Sequence, residues 1–207
     1  MNAHTQKLTL PGPAGALQAA LDLPAAGVAA QGLAVLCHPH PLHGGTMDNK
    51  VVQTLARAFL QCGWQTLRFN FRGVGASEGA WDAGQGEVDD ALAVVAAQHD
   101  GHQPLALAGF SFGGYVASQA AARLGAQVQR LVLIGPATQN FTVAPVPAHT
   151  LVVHGEADDV VPLAATLDWA RPQALPVVVV PGGGHFFHGQ LPLLRSLVVR
   201  HLSAPVA

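Results

Sequence analysis

A six-residue stretch, Gly109-Phe-Ser-Phe-Gly-Gly114, most narrows the folds open to this chain. The strand-like run Pro104-Leu-Ala-Leu-Ala108 leads straight into it, and an Ala-rich, helix-like run follows. A G-x-S-x-G sequence between strand and helix is the pattern of a nucleophile elbow. The serine sits at a strained turn, and glycine is needed where a Cβ would strike the neighbouring strand or helix. Such a turn lifts the serine Oγ clear of the sheet edge, and the following helix offers backbone N–H groups and a partial positive charge to an oxyanion. Ser111 is therefore the candidate nucleophile. A serine ahead of a helix is also a common N-cap, so partners elsewhere in the chain have to decide between the two uses.

Two further strand ends supply them. His149-Thr-Leu-Val-Val153 runs into His154-Gly-Glu-Ala-Asp-Asp-Val-Val-Pro162, which places Glu156, Asp158 and Asp159 in a loop past a strand. Val177-Val-Val-Val180 breaks at Pro181-Gly-Gly-Gly184 and presents His185, with His188 in the same loop. His154 ends its own strand and is a third candidate histidine. The order Ser111, Asp158, His185 is the one an α/β-hydrolase uses. In that arrangement His185 takes the Ser111 proton during attack on an acyl carbon and returns it to the leaving group. Asp158 fixes the imidazole tautomer and stabilises the imidazolium.

The rest of the chain alternates. Lys7 to Leu10 and Leu17 to Leu23 read as two antiparallel strands about the turn Pro11-Gly-Pro-Ala-Gly15. Leu33 to Leu36 is a buried strand. Asn49 to Gln61 is a helix with apolar residues at 51, 52, 55, 58 and 59, closed by Gly63. A strand over Trp64 to Phe71 and a helix over Glu87 to His99 precede the elbow, whose helix runs to Leu124. Val128 to Ile134, Leu163 to Ala170 and Gln190 to His201 complete the pattern as strand, helix and helix. Such alternation argues for a parallel sheet wrapped on both faces. The connection from Gly135 to Ala148, rich in Pro and Ala, is too short for a helical cap. The site is therefore expected to lie open to solvent or under a partner chain.

Composition bounds the alternatives. A chain of 207 residues, half of them apolar, buries a sizeable core as one domain, 1–207. The net charge is −2, with Lys7 and Lys50 the only lysines and the eight arginines scattered, which excludes a basic surface for nucleic acid or an acidic membrane. Cys37 and Cys62 make no disulfide framework and fit a cytoplasmic location. The N-terminal Met-Asn-Ala-His-Thr-Gln-Lys lacks a secretion-signal pattern, and no apolar run is long enough to span a membrane. A surface poor in charge leaves a homo-oligomer open.

His38, His40 and His43 invite a metal reading, but their spacing matches no familiar zinc pattern, so no metal is expected there. Gly73-Val-Gly75 completes no phosphate-binding motif, and no cofactor is expected. Ser77 reads as a turn residue in a loop pinned by Arg72.

Over residues 5 to 203 the chain resembles the α/β-hydrolase superfamily. Besides the three-residue order above, His38-Pro-His-Pro-Leu-His-Gly-Gly45 and Phe69-Asn-Phe-Arg-Gly-Val-Gly-Ala-Ser-Glu-Gly79 are similar to segments of small, lidless serine hydrolases grouped near the dienelactone hydrolases. The resemblance implies an eight-stranded, mostly parallel sheet with helices on both faces and no cap domain. It implies a carboxylesterase or thioesterase acting on a small-molecule acyl substrate. It places the acid three residues after the loop glycine and before a Val-Pro pair, which is Asp158. Its oxyanion donors would be the N–H groups of Leu42 and Phe112, since Pro39 and Pro41 have none. Phe110, Phe112, Leu42, Phe141 and Phe186 flank the catalytic loops and are candidate pocket walls. The chain departs from dienelactone hydrolases proper in having Ser111 where they use cysteine, so their lactone substrate is not carried over. An acyltransferase or peptidase could use the same three residues, and a non-catalytic binding protein could retain the fold.

Overall fold

Turn chemistry at the start of the chain sets the first strands. Gly15 takes a φ of +119°, closing a hairpin between β1 (Gln6–Gly12) and β2 (Gly15–Asp22). These features come from a computed structural model that describes residues 5–25 and 27–204. Met1 to His4, part of the segment read for a secretion signal, lie outside the described residues. The chain then alternates through β3 (Leu33–Cys37), α1 (Lys50–Gln61), β4 (Gln65–Phe69), α2 (Gln85–Gln98), β5 (Leu105–Phe110) and α3 (Phe112–Leu124). It continues through β6 (Val128–Ile134), β7 (Leu151–Gly155), α4 (Leu163–Ala170), β8 (Val177–Val180) and α5 (Leu191–Ser203).

The strands form one eight-stranded sheet in the order β1-β2-β4-β3-β5-β6-β7-β8. β2 is antiparallel to both β1 and β4, and every later pairing is parallel. The chain places β4 on one side of β3 and β5 on the other. The loops after β3 and β5 therefore emerge side by side at a reversal of strand order, where open α/β sheets bind their ligands.

Strands β3 and β5 are buried throughout, as expected of central parallel strands covered on both faces. Alternate residues divide between two cores. Val35, Cys37, Leu105 and Leu107 face α2 and α3, whereas Ala34, Leu36, Ala106, Ala108 and Phe110 face α1 and α5. Burial of these apolar faces supplies most of what holds the helices on the sheet.

The bounds of β6, α4 and β8 match the sequence reading. β7 starts later, at Leu151, because the Thr150 N–H donates to the Pro147 carbonyl in a turn and delays the strand. Between β6 and β7 residues 135–150 form no helix or strand, so the connection carries no lid. Among the described residues no helix is long and apolar enough to cross a membrane.

Candidate active site

The β5–α3 turn holds Ser111 at φ 55° and ψ −119°, a conformation that costs a non-glycine residue on the order of 1–3 kcal/mol. Backbone bonds hold it there. The Ser111 N–H donates to the Ile134 carbonyl at 2.9 Å, and its own carbonyl accepts from Gly114 at 2.9 Å and from Ala137 at 3.2 Å. The flanking glycines answer to crowding. A Cβ on Gly109 would stand 2.0 Å from the Gly113 oxygen, and one on Gly113 would stand 2.2 Å from the Cys37 oxygen. The Ser111 side chain makes no capping hydrogen bond to α3, so it does not serve as the helix N-cap.

The loop after β7 brings its acids to different places. Asp158 is buried, and its Oδ2 lies 2.7 Å from His185 Nδ1. Its Oδ1 accepts from the N–H groups of Val160 and Val161 at 2.9 and 2.8 Å. Asp159 is exposed, and Glu156 is exposed and accepts from the Gly182 N–H. Burial alone would raise the Asp158 carboxyl, but the hydrogen bond from His185, those from Val161 and Val160, and the imidazole charge outweigh it and hold the group below its ordinary value. With Nδ1–H donated to the carboxylate, His185 keeps its basic lone pair on Nε2.

The end of β6 links Ser111 to the Asp158–His185 pair. Ile134 accepts from Ser111, and the next residue, Gly135, packs beneath the acid and the imidazole. A Cβ there would lie 3.5 Å from Asp158 Oδ2 and 3.6 Å from His185 Cε1.

The competing histidines are differently placed. His188 is exposed. His154 is wholly buried, donates from Nε2 to the Val161 carbonyl at 2.9 Å and lies 3.4 Å from Asp158 Oδ2. Burial lowers its pKa, although the Val161 bond and the Asp158 charge oppose the shift.

His38 is also buried, and both ring nitrogens are engaged. Nδ1 donates to the Pro39 carbonyl at 2.7 Å and Nε2 accepts from the Phe71 N–H at 3.1 Å. His40 stacks on His43 with centroids 4.5 Å apart. Among the described residues no group of three or more His, Cys, Asp or Glu is placed to hold a metal ion.

The implied oxyanion donors part company. Phe112 opens α3, where the first N–H groups have no helical acceptor. The Leu42 N–H is instead taken up within its own 3-10 turn, Pro41–His43, donating to His40 Nδ1 at 3.3 Å, and the Leu42 side chain is 65% exposed. The resemblance therefore placed a free donor at a residue whose N–H is already engaged. His40 itself, between two prolines, carries the sole N–H of Pro39-His-Pro41, and that group has no acceptor among the described residues. The flanking prolines were the sequence signal for it.

The aromatic residues also separate. Phe110 and Phe112 are fully buried. Phe110 backs the His185 ring with centroids 4.8 Å apart, and Phe112 sits among Trp81, Phe141 and His40 at 5.1, 5.0 and 5.2 Å. Both support the site from below instead of walling it, because neither side chain offers exposed surface. Phe141 is half-buried and Phe186 is exposed, so these two can meet a ligand. Trp81, half-buried and 4.7 Å from His40, was not anticipated. Its loop is fixed by Arg72, whose guanidinium meets the buried Asp90 carboxylate at 2.7 Å, and by Ser77, whose Oγ donates to the Asn70 carbonyl.

The chain is similar to known proteins over most of its length. A family model described as serine aminopeptidase, S33, matches residues 34–146. An uncharacterised protein of Rickettsia prowazekii (strain Madrid E) is 33% identical over 171 residues, 75% of this chain and 71% of that relative. A solved α/β serine hydrolase without lid from Xanthomonas campestris is 41% identical, covers 99% of both chains and superposes with a TM-score of 0.89. An α/β serine hydrolase homologue from Coxiella burnetii is 40% identical, with 96% of this chain and 97% of that one covered and a TM-score of 0.87. Likeness over the whole length, on a sheet that passes from β6 to β7 without an intervening helix, makes this chain a member of the serine α/β-hydrolases that carry no lid.

Proposed function

We propose that this serine hydrolase cleaves a carboxylic ester or thioester through an acyl-enzyme on Ser111. His185 Nε2 removes the Ser111 Oγ proton as Oγ bonds to the acyl carbon, and the carbonyl π electrons move onto oxygen. The resulting oxyanion is received by the Phe112 N–H and by the His40 N–H. Collapse breaks the bond to the leaving alcohol or thiol, which takes the proton from His185. Water then attacks the acyl carbon by the same route in reverse order, releasing the acid and restoring Ser111. Phe141 and Phe186, flanking the elbow, contact the substrate.

The observation that carries this reading is the Asp158–His185 bond at 2.7 Å, formed by a carboxylate whose second oxygen is already held by two backbone N–H groups. Such an acid orients an imidazole without moving. The strained Ser111 backbone, which serves no capping purpose, supports its role as the nucleophile.

Peptide hydrolysis is the second reading, favoured by the description of the matching family model. An aminopeptidase must also hold the α-ammonium group of its substrate against a carboxylate. Among the described residues the buried acids are already engaged: Asp158 by His185, Asp90 by Arg72, Asp22 by Arg68, and Glu87 by the N–H groups of Asp82 and Gly84. That favours esters and thioesters.

The test compares wild type with Ser111→Ala. A fluorophosphonate should label wild type alone, and the variant should lose roughly 10⁴-fold or more in kcat. Rates on p-nitrophenyl esters of graded acyl length, on an acyl thioester and on aminoacyl p-nitroanilides assign the bond. Turnover confined to the anilides would replace the ester reading, and normal turnover by Ser111→Ala would remove the acyl-enzyme altogether.

A further inference from the structure

Three arginines of this chain are buried: Arg68, Arg72 and Arg130, at 3%, 9% and 7% exposure. Two have buried carboxylate partners, Asp22 for Arg68 and Asp90 for Arg72. Among the described residues no carboxylate pairs with Arg130, whose guanidinium donates only to the Ala204 carbonyl. A guanidinium stays protonated at any pH a protein tolerates, and a buried charge without a counter-ion is costly.

The surroundings of Arg130 are suited to an anion. It lines a cavity of about 300 Å³ with His149, Thr150, Pro176, His201 and Ala204. Three of these carry a buried polar atom without a hydrogen-bond partner among the described residues: His149 Nε2, Thr150 Oγ1 and His201 Nε2. Thr150 is itself only 6% exposed. Buried polar groups in native proteins are nearly always satisfied, so three unsatisfied ones on residues that line one cavity point to a partner that the described residues do not supply. All three can present an O–H or N–H, and an arginine fork is suited to tetrahedral oxyanions.

We propose that this cavity binds a phosphoryl group, seated on the Arg130 guanidinium between the imidazoles of His149 and His201, with the Thr150 hydroxyl as a further donor. The site is separate from the catalytic one. Arg130 lies near the start of β6, Thr150 just ahead of β7 and His201 near the end of α5, whereas Ser111 and Asp158 follow the ends of β5 and β7. The length of β7 stands between them. Burial, then the charges of Arg130 and His149, lowers the His201 pKa, and a bound anion would relieve both charge effects. The cavity is larger than one phosphate, so inorganic phosphate and a phosphate monoester are both sources of the group.

Calorimetric titration of the full chain with inorganic phosphate and with glycerol 1-phosphate, at ionic strength held constant with chloride, tests the site. Saturable binding is expected, weakened roughly tenfold or more by Arg130→Gln and less by Thr150→Val. Tighter binding of glycerol 1-phosphate would assign a monoester, and equal or weaker binding would assign free phosphate. Should Arg130→Gln fail to fold, Thr150→Val decides. It removes an unpartnered hydroxyl, so it should keep the fold and the hydrolase activity while phosphate binding falls. Absence of saturable binding to both ligands, or unchanged affinity in the variant that folds, would overturn the proposal. So would binding that appears only once residues 205–207 are removed, because the chain's own end would then be the occupant.

Discussion

Oδ2 of Asp158 meets Nδ1 of His185 at 2.7 Å, while Oδ1 of the same carboxylate is tied to the N–H groups of Val160 and Val161. The neighbouring Asp159 faces solvent. One loop conformation thus gives two adjacent acids opposite environments. Asp158→Asn should lower kcat by roughly 10³ to 10⁴-fold, because an amide cannot hold the imidazole with its proton on Nδ1. Asp159→Asn should change kcat by less than about tenfold. Steady-state rates on both variants, after checking equal thermal stability, decide; the reverse ranking would transfer the orienting role to Asp159.

The elbow predicts which glycines are replaceable. A Cβ at Gly113 would stand 2.2 Å from the Cys37 oxygen and 2.6 Å from the His38 oxygen, backbone atoms of the last residue of β3 and the one after it. Gly184 precedes His185, yet a Cβ there would find nothing nearer than 4.0 Å. Gly113→Ala should therefore lose on the order of 10²-fold or more in activity by displacing the elbow, or fail to fold. Gly184→Ala should fold and retain most activity. Soluble expression, thermal melting and ester turnover read both, and a fully active Gly113→Ala would refute the crowding argument.

Much of this was legible because each candidate catalytic residue sits where periodicity breaks. Ser111 lies between two glycines at the end of an apolar strand, and His185 follows a glycine run after four valines. What escaped depends on side chains meeting across the chain. Nothing local announces that Arg72 reaches Asp90 on α2, or that the imidazole of His40 captures the Leu42 N–H. The burial of Phe110 and Phe112 escaped for another reason. Flanking a nucleophile in sequence puts their side chains on opposite faces of the sheet, one in each core, and neither points along the strand toward the site.

The Arg72–Asp90 pair gives a prediction about stability. Asp90 is wholly buried, it also accepts from the Arg72 backbone N–H at 2.9 Å, and the guanidinium lies so close over Gly86 that a Cβ there would stand 2.0 Å from it. Removing Asp90 leaves the buried guanidinium only the exposed Asp82 carboxylate, 3.7 Å away, as an ion-pair partner. Asp90→Ala should cost about 3–5 kcal/mol. Urea unfolding measures it, and a loss under about 1 kcal/mol would mean that the pair does not anchor the loop carrying Trp81.

Acid should act on His38 before it reaches most carboxylates. Its neutral tautomer is fixed by two bonds: Nδ1–H to the Pro39 carbonyl, and Nε2 accepting from the Phe71 N–H. Protonation of Nε2 would set two N–H donors against each other inside the core. Burial lowers the pKa from 6.5 to about 4, with the Pro39 bond opposing the shift. Between those values the unfolded chain binds the proton and the folded one does not. Stability supplied by this group is therefore complete above pH 6.5 and is lost as pH falls toward about 4. The slope is at most about 1.4 kcal/mol per pH unit, on the order of 3 kcal/mol in all. His38→Gln keeps a donor and an acceptor but cannot titrate. The stability gap between wild type and His38→Gln, measured by urea unfolding at about pH 7 and about pH 5, should narrow toward acid by roughly 2 kcal/mol. His154 and His201, also lowered by burial, remain in both proteins and cancel from the comparison. An unchanged gap would show that His38 is protonated as readily in the folded protein as in the unfolded chain.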